Sequence, residues 1–323
     1  MYTRATSRMH TAGAARSSGH TLCLVDLFCG AGGVSHGAAM AGVECVLAVD
    51  GNQLCLDVHK ANHPGAHHAC IILGGELSEL QQALTAAVGN RPYHLHMSPE
   101  CKRVSRANCC RTEEGVESTI SLMQWCLTLA RRLQPEPASW TLEQAHAFEV
   151  YTAFPQHIVV RCEQFGVAQT RKRILMGTPQ VLQRLQEAPI QTRTPAQVLT
   201  HLRPLRQYLL KLGTTNTSIK KKEQQAAEGR KHKRIATMQF VRPLSVPTYT
   251  VTQKNLFLVD TRTRSIVRTL NSRELSLLQG FPPQYQFALH RQKDVVRMVA
   301  NAVPPPVAAA ILKCALEVVA APA

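Results

Sequence analysis

The sequence predicts an α/β fold built on a doubly wound, mainly parallel sheet, and three observations carry the prediction. Strand-length apolar runs alternate with helix-periodic segments over residues 22–143, which is the rhythm of βαβ units. The first run ends in a turn containing Gly30, Gly32 and Gly33. The second ends in an acid, Asp50, at the separation from Asp26 that places a carboxylate at the neighbouring strand's tip.

The elements follow in order. "LCLVDLF" (22–28) is the first strand. The glycines after it let the backbone approach a ligand beside the N-terminus of a helix running from Val34 to Ala41. "VECVLAVD" is the second strand, and its Asp50 is placed to accept hydrogen bonds from a ribose diol. Strand, glycine turn, helix and downstream acid together predict a nucleoside cofactor; the absence of GxxxxGK[ST] argues against a nucleoside triphosphate site. "HHACIIL" reads as a third strand and "LSELQQALTAAV" as a helix. "YHLHMS" reads as a fourth strand that delivers Cys101 to the sheet edge holding the glycine turn. After the amphipathic helix "SLMQWCLTLARRL", the strand "ASWTLE" delivers Glu143 to the same edge.

A thiol and a carboxylate therefore converge on the cofactor site. Without an evident Cys/His relay, the pair suits nucleophilic addition to an electron-poor ring, with a carboxyl kept neutral by burial supplying the proton. An inert buried thiol is the competing reading, since ten other cysteines are present. Lys102 and Arg103 favour the thiolate while Glu100 opposes it, so the local sequence leaves its acidity open.

Lysine and arginine outnumber aspartate and glutamate by 37 to 21, a formal charge of +16, which makes nucleic acid the first partner to expect. No run approaches the length of a bilayer span, so no membrane partner is expected. Eleven cysteines without a CxxC pair predict a reducing compartment and no structural zinc. In "HKANHPGAHHAC", Pro64 and Gly65 interrupt the helix that would align His59 with His63, so solvated loop histidines are expected rather than a metal site. Residues 1–20 lack acids and read as a disordered tail, with an organelle transit peptide as a second reading.

The strand and helix rhythm lapses over residues 180–243, which hold the basic run "KKKEQQAAEGRKHKR". Its Lys220, Lys221, Lys222, Arg230, Lys231, Lys233 and Arg234 suit phosphate contact, against a plain solvated loop or a bipartite nuclear-import signal. "PTYTVTQ", "SRELSLLQGFP" and a last helix over "VVRMVANAVPPPVAAAILKCALEVV" restore the pattern, with the prolines starting that helix.

"VDLFCGAGGVSHGAAMAG", the Cys101 loop, "TLEQ", "FGVAQTRKR" and "NAVPPPVAAAI" occur in one order, and together they resemble the DNA (cytosine-5)-methyltransferase family from about Leu22 to Leu312. The resemblance implies a Rossmann-like class I sheet that binds S-adenosylmethionine, with a small inserted target-recognition domain facing double-stranded DNA. The chain then divides into a tail (1–20), a catalytic domain (21–178), a short basic target-recognition region (179–247), and a return segment completing the catalytic domain (248–323). Phe28, Gly30, Gly32 and Gly33 match the cofactor motif, Asp50 the ribose-binding acid, Glu76 the acid facing adenine, and Asn301 and Ala302 the segment that closes over the cofactor.

Cys101 matches the nucleophile that adds to cytosine C6, Glu143 the acid at N3, and Arg171 and Arg173 the arginine pair, the second of which helps hold the base. Lys102, Arg103, Ser105 and Gln169 fall where the family meets nucleic acid. The target base must leave the stack first. The chain departs from the family in three places. It has Glu100-Cys101-Lys102 for Pro-Cys-Gln, with Ser105 in register, Glu143-Gln144-Ala145 for Glu-Asn-Val, and Ala300 for glycine. A monomer in the nucleus or nucleoid is expected. One branch of the family modifies tRNA, and a catalytically degenerate binding protein is the alternative from another class.

Overall fold

A computed structural model of the protein describes residues 22–101, 103–104, 112–202, 208–212, 241–252, 256–263, 266–287 and 291–321. The first part runs β1 (Cys23–Leu27), α1 (Gly33–Met40), β2 (Glu44–Asp50), α2 (Gln53–Asn62), β3 (His67–Cys70), α3 (Ser78–Val88), β4 (Tyr93–Met97), α4 (Glu113–Arg132), β5 (Ser139–Ala145), α5 (Phe148–Ala153) and β6 (Ile158–Arg161). It continues through β7 (Gln169–Thr170), β8 (Lys172–Gly177), α6 (Pro179–Glu187), α7 (Pro195–Val198), β9 (Tyr208–Leu212), β10 (Val241–Pro243), β11 (Thr248–Tyr249), β12 (Leu256–Asp260), β13 (Ile266–Thr269), α8 (Ser272–Gln279), α9 (Gln292–Asn301) and α10 (Pro305–Ala320).

Seven strands form the main sheet in the order β3-β2-β1-β4-β5-β8-β6. β3, β2, β1, β4 and β5 pair in parallel, while β8 is antiparallel to both β5 and β6. The chain winds outward from β1 to β3 and then returns to β4, so the order reverses between β1 and β4. In such sheets ligands bind in the crevice beyond the carboxyl ends of those strands. Every residue of β1 and β4 is buried, as expected for strands covered on both faces. Helix ends are set locally: Asn52 accepts the Leu54 N–H to cap α2, and Thr112 caps α4 through the Gly115 N–H.

A second sheet, β10-β9-β12-β13, has its own core, in which Leu210, Leu256, Leu258 and Leu270 meet Leu275 and Leu278 of α8 and Val295 and Val299 of α9. Two of its strands therefore come from beyond residue 247. The helical rhythm also extends past residue 180, because α6 turns Val181 and Leu185 into the core shared with α10.

Three further expectations need correction. The third strand ends at Cys70, opposite the end of β2, and with no strand edge left to pair, Ile72 lies exposed. The C-terminal helix is two helices: the chain breaks at Ala302–Pro304, and Pro305 and Pro306 open α10 where their missing N–H groups cost nothing. Residues Gln292–Ala320 together are long and apolar enough to cross a membrane. That apolar surface is used inside the protein, since α10 packs on α1 and α6.

The histidines, expected as solvated, partly line the interior. His59 is fully buried, with Nε2 2.8 Å from Ser35 Oγ and Nδ1 2.8 Å from His68 Nε2, and Ser35 donates to Asp26 at 2.7 Å. Packing of α2 on the main sheet, invisible in the local spacing, makes this chain of partners. Among the described residues no group of three or more histidine, cysteine or acidic side chains forms a metal site. Residues 1–20, Lys102, Ser105 and the basic run from Lys220 to Arg234 lie outside the described residues.

Candidate active site

The crevice at the strand-order reversal holds a cavity of about 320 Å³. Its walls come from Phe28, Gly30 and Gly33 after β1, Asp50 after β2, Ser98 to Cys101 after β4, Glu143 on β5, and Asn301 and Ala302 at the end of α9. Phe28 adopts φ 58, rare for a residue with a side chain, and such strain collects at functional sites. Gly30 has φ +53, and a Cβ there would meet no protein atom within 4 Å, so the turn opens onto free space. Asp50 Oδ2 accepts the Gly30 N–H at 2.9 Å and Oδ1 the Asn52 N–H at 2.8 Å, which aims the carboxylate at the glycine turn.

The glycines differ in purpose. Gly32 does not line the cavity; a Cβ there would lie 2.5 Å from the Tyr285 hydroxyl, which itself donates to the Ala31 carbonyl. At Gly33 a Cβ would come 2.3 Å from the Val303 carbonyl, so glycine admits the α9–α10 break against the turn. Glu76 is exposed in the loop after β3 and does not contribute to the cavity, because that strand ends early and its loop turns outward.

Cys101 is half-buried and lines the cavity together with Glu143. Burial pushes its thiol up from the ordinary value, Arg173 and Arg171 pull it down, and Glu143 pushes it up. The largest charge effects on the sulfur among the described residues therefore come from β5, β8 and the residue just before β8. Glu143 is not an isolated carboxyl, as expected from the sequence: its Oε1 lies 2.7 Å from Arg173 Nε. The two atoms lack an in-line hydrogen-bond geometry, so the contact is an ion pair.

Gln144, one residue on and facing the other way, is fully buried. Its Nε2 donates to the Pro99 carbonyl at 3.3 Å and its Oε1 accepts the Ala145 N–H at 2.8 Å. The longer amide thus braces the cysteine loop. Arg171 is 2% exposed and donates to the carbonyls of Val251 (3.3 Å) and Ala302 (3.4 Å). Burial and the neighbouring Arg173 lower its pKa to about 10. Arg171 holds the wall of the cavity rather than opening onto it.

Gln169 is a clearer correction. Expected at the nucleic acid, it is fully buried, donates to the Leu278 carbonyl and Gln279 Oε1, and accepts the Val251 N–H at 2.7 Å. All its polar atoms are used inside the protein. Arg103 is exposed on the loop after Cys101. Asp294, Arg297 and Met298 also line the cavity, unnoticed in the sequence. Counting back from Asn301 at helical spacing would have found them, since residues three, four and seven apart share one face.

The profile of C-5 cytosine-specific DNA methylases matches residues 22–79 and 141–317. The chain belongs to that family. The matched segments leave out residues 80–140, where Cys101 lies, so the thiol's place in the methylase cavity rests on the geometry independently. Among curated proteins none matches by sequence. Solved structures resemble the methylase over nearly its whole length. A putative DNA modification methyltransferase encoded within an E. coli prophage has a TM-score of 0.61 at 19% identity, covering 91% of this chain and 98% of its own. The S. pombe Dnmt2 methyltransferase has a TM-score of 0.58 at 15% identity, covering 92% and 98%. A Spodoptera frugiperda DNMT2 triple mutant has a TM-score of 0.54 at 14% identity, covering 91% and 99%. At these identities the likeness establishes the class I methyltransferase fold. The family's chemistry is methylation of cytosine at C5 with S-adenosylmethionine as donor, and the open glycine turn, Asp50 and the cavity fit such a donor.

Proposed function

We propose that the protein methylates cytosine C5 in double-stranded DNA through a covalent adduct between Cys101 and a flipped-out base. One observation carries the reading: Cys101 and Glu143, from the ends of β4 and β5, share one cavity with the glycine turn and Asp50. S-adenosylmethionine supplies an electrophilic methyl group on a sulfonium. Phe28, Gly30, Gly33 and Asp50 hold its nucleoside end, and Asn301 and Ala302 close over it.

The thiol of Cys101 loses its proton and its sulfur adds to C6 of the ring, which moves an electron pair toward C5. Arg171 and Arg173 favour the thiolate that this step needs, against the burial that opposes it. Glu143, oriented by Arg173, contacts the ring at N3 and stabilises the charge that develops there. After C5 takes the methyl group it gives up its proton to a solvent water, the C5–H electron pair restores the C5–C6 double bond, and the C6–S bond breaks to return the thiolate. The formal charge of +16 favours the approach of a polyanion.

Duplex DNA carrying 5-fluorocytosine tests the adduct, because fluorine cannot leave as a proton and the complex is trapped. A denaturation-resistant adduct that Cys101→Ser abolishes is expected. Labelled methyl transfer to DNA and to total tRNA, measured side by side, tests the substrate; label in tRNA alone overturns the DNA reading. No adduct and no transfer from folded protein on either substrate identifies a binding protein without catalysis.

A further inference from the structure

Glu100 lines the cavity between Pro99 and Cys101, yet no step above uses it. The largest charge effects on Cys101 among the described residues are those of Arg173, Glu143 and Arg171 rather than of Glu100. Its charge instead reaches Asp50 at the tip of β2. Among the described residues it makes no ion pair, and it is exposed to the cavity mouth. A carboxylate with no ion pair among the described residues thus shares one cavity with Asp50 and Gly30, at the nucleoside end, and with its chain neighbour Cys101, where the acceptor base would be held.

In a donor bound in this cavity, the methyl-bearing sulfur would lie between the nucleoside and the acceptor base, and so within the walls that include Glu100. It is a cation before transfer. When the methyl group leaves for C5, the electron pair of the broken S–C bond stays on sulfur, which becomes a neutral thioether. A carboxylate without an ion pair among the described residues would attract the first form and gain nothing from the second.

We propose that Glu100 makes the donor pocket charge-selective, favouring the sulfonium of S-adenosylmethionine over the neutral S-adenosylhomocysteine left after transfer. This rests on the reading of the cavity as the donor site. It gives the departure from proline at this position a role in product release rather than in activating the nucleophile.

The test is direct binding, without turnover, of S-adenosylmethionine, S-adenosylhomocysteine and sinefungin to the full chain by calorimetry at low salt. Sinefungin carries a protonated amine where the donor has its sulfonium. Glu100→Gln is expected to weaken S-adenosylmethionine and sinefungin by about fivefold or more, while S-adenosylhomocysteine changes less than about twofold, since only a charge interaction is removed. Glu100→Asp is expected to restore the preference. Equal weakening of all three ligands, or no change in any, overturns the proposal by assigning the carboxylate to a shared part of the ligand or to none. If the wild type binds neither donor nor product, the donor-site reading falls as well.

Discussion

Gln144 Nε2 donates to the Pro99 carbonyl at 3.3 Å, tying the buried face of β5 to the loop that carries Cys101. Adjacent residues of one strand thus serve the same loop from two sides, with Glu143 facing the cavity and Gln144 holding the backbone behind it.

Gln144→Ala should therefore impair the nucleophile without touching the substrate. It leaves the Pro99 carbonyl unpaired and empties a buried site, and leaving a buried polar group unsatisfied costs about 1–3 kcal/mol. The expected result is a lowered melting temperature and slower trapping on 5-fluorocytosine DNA, with donor binding retained. Trapping at the wild-type rate would remove the bracing role.

Glu143→Gln keeps the shape but removes the charge that faces Arg173. Nucleic-acid binding should persist while methyl transfer slows on the order of 100-fold or more, as for loss of a positioned acid. Single-turnover transfer measures it, and a rate within a few fold of wild type would count against the role assigned to Glu143.

Arg171→Lys tests whether the first arginine is a wall support. A lysine ammonium cannot reach the Val251 and Ala302 carbonyls together as the planar guanidinium does. Chemical denaturation should show a loss of roughly 1–3 kcal/mol, and donor affinity should fall because Ala302 lines the cavity. Unchanged stability with reduced transfer would move Arg171 into the chemistry instead.

Acid should destabilise the fold well before carboxylates alone would. Burial lowers His59 to about 2, His63 to about 4, and His94 and His96 to about 3, each from 6.5. A histidine whose folded pKa is depressed contributes stability that is complete above its unfolded value and is lost as pH falls below it. Asp26, raised by burial from 3.8 to about 7, works the other way, its contribution fading as pH rises through about 7. Burial raises Asp50 as well, and it acts in the same sense as Asp26; four imidazoles outweigh these two carboxyls, so the denaturant midpoint should drop between pH 7.5 and pH 5. A flat or rising midpoint over that range would contradict neutral burial of these rings.

Much of the architecture is legible in local pattern. The apolar runs around Val25, Leu47 and Leu95, the glycine turn and the acids ending two strands are short-range features, and each follows from strand burial or backbone freedom. The same holds for the placement of Asp50, Cys101 and Glu143 at one sheet edge, which follows from strand alternation and the winding rule alone. The outward loop of Glu76 is not legible in this way, because it depends on where β2 stops offering a pairing edge.

What the sequence by itself determined is thus the succession of the first five strands and which reactive side chains follow them, since both depend on residues within a few positions of one another. Only the tertiary structure decided how those side chains are used. The neighbours of Cys101 in the chain, Glu100, Lys102 and Arg103, left its acidity open, and the largest charge effects among the described residues come from Glu143, Arg171 and Arg173, brought in on β5 and at β8. Gln169 turned inward because Val251 and Leu278 meet it there, and His59 found Ser35 and His68 across the packed face of α2. Burial and partnership are made by segments distant in sequence, so a polar residue's neighbours along the chain do not reveal whether it faces substrate, solvent or the protein's own backbone.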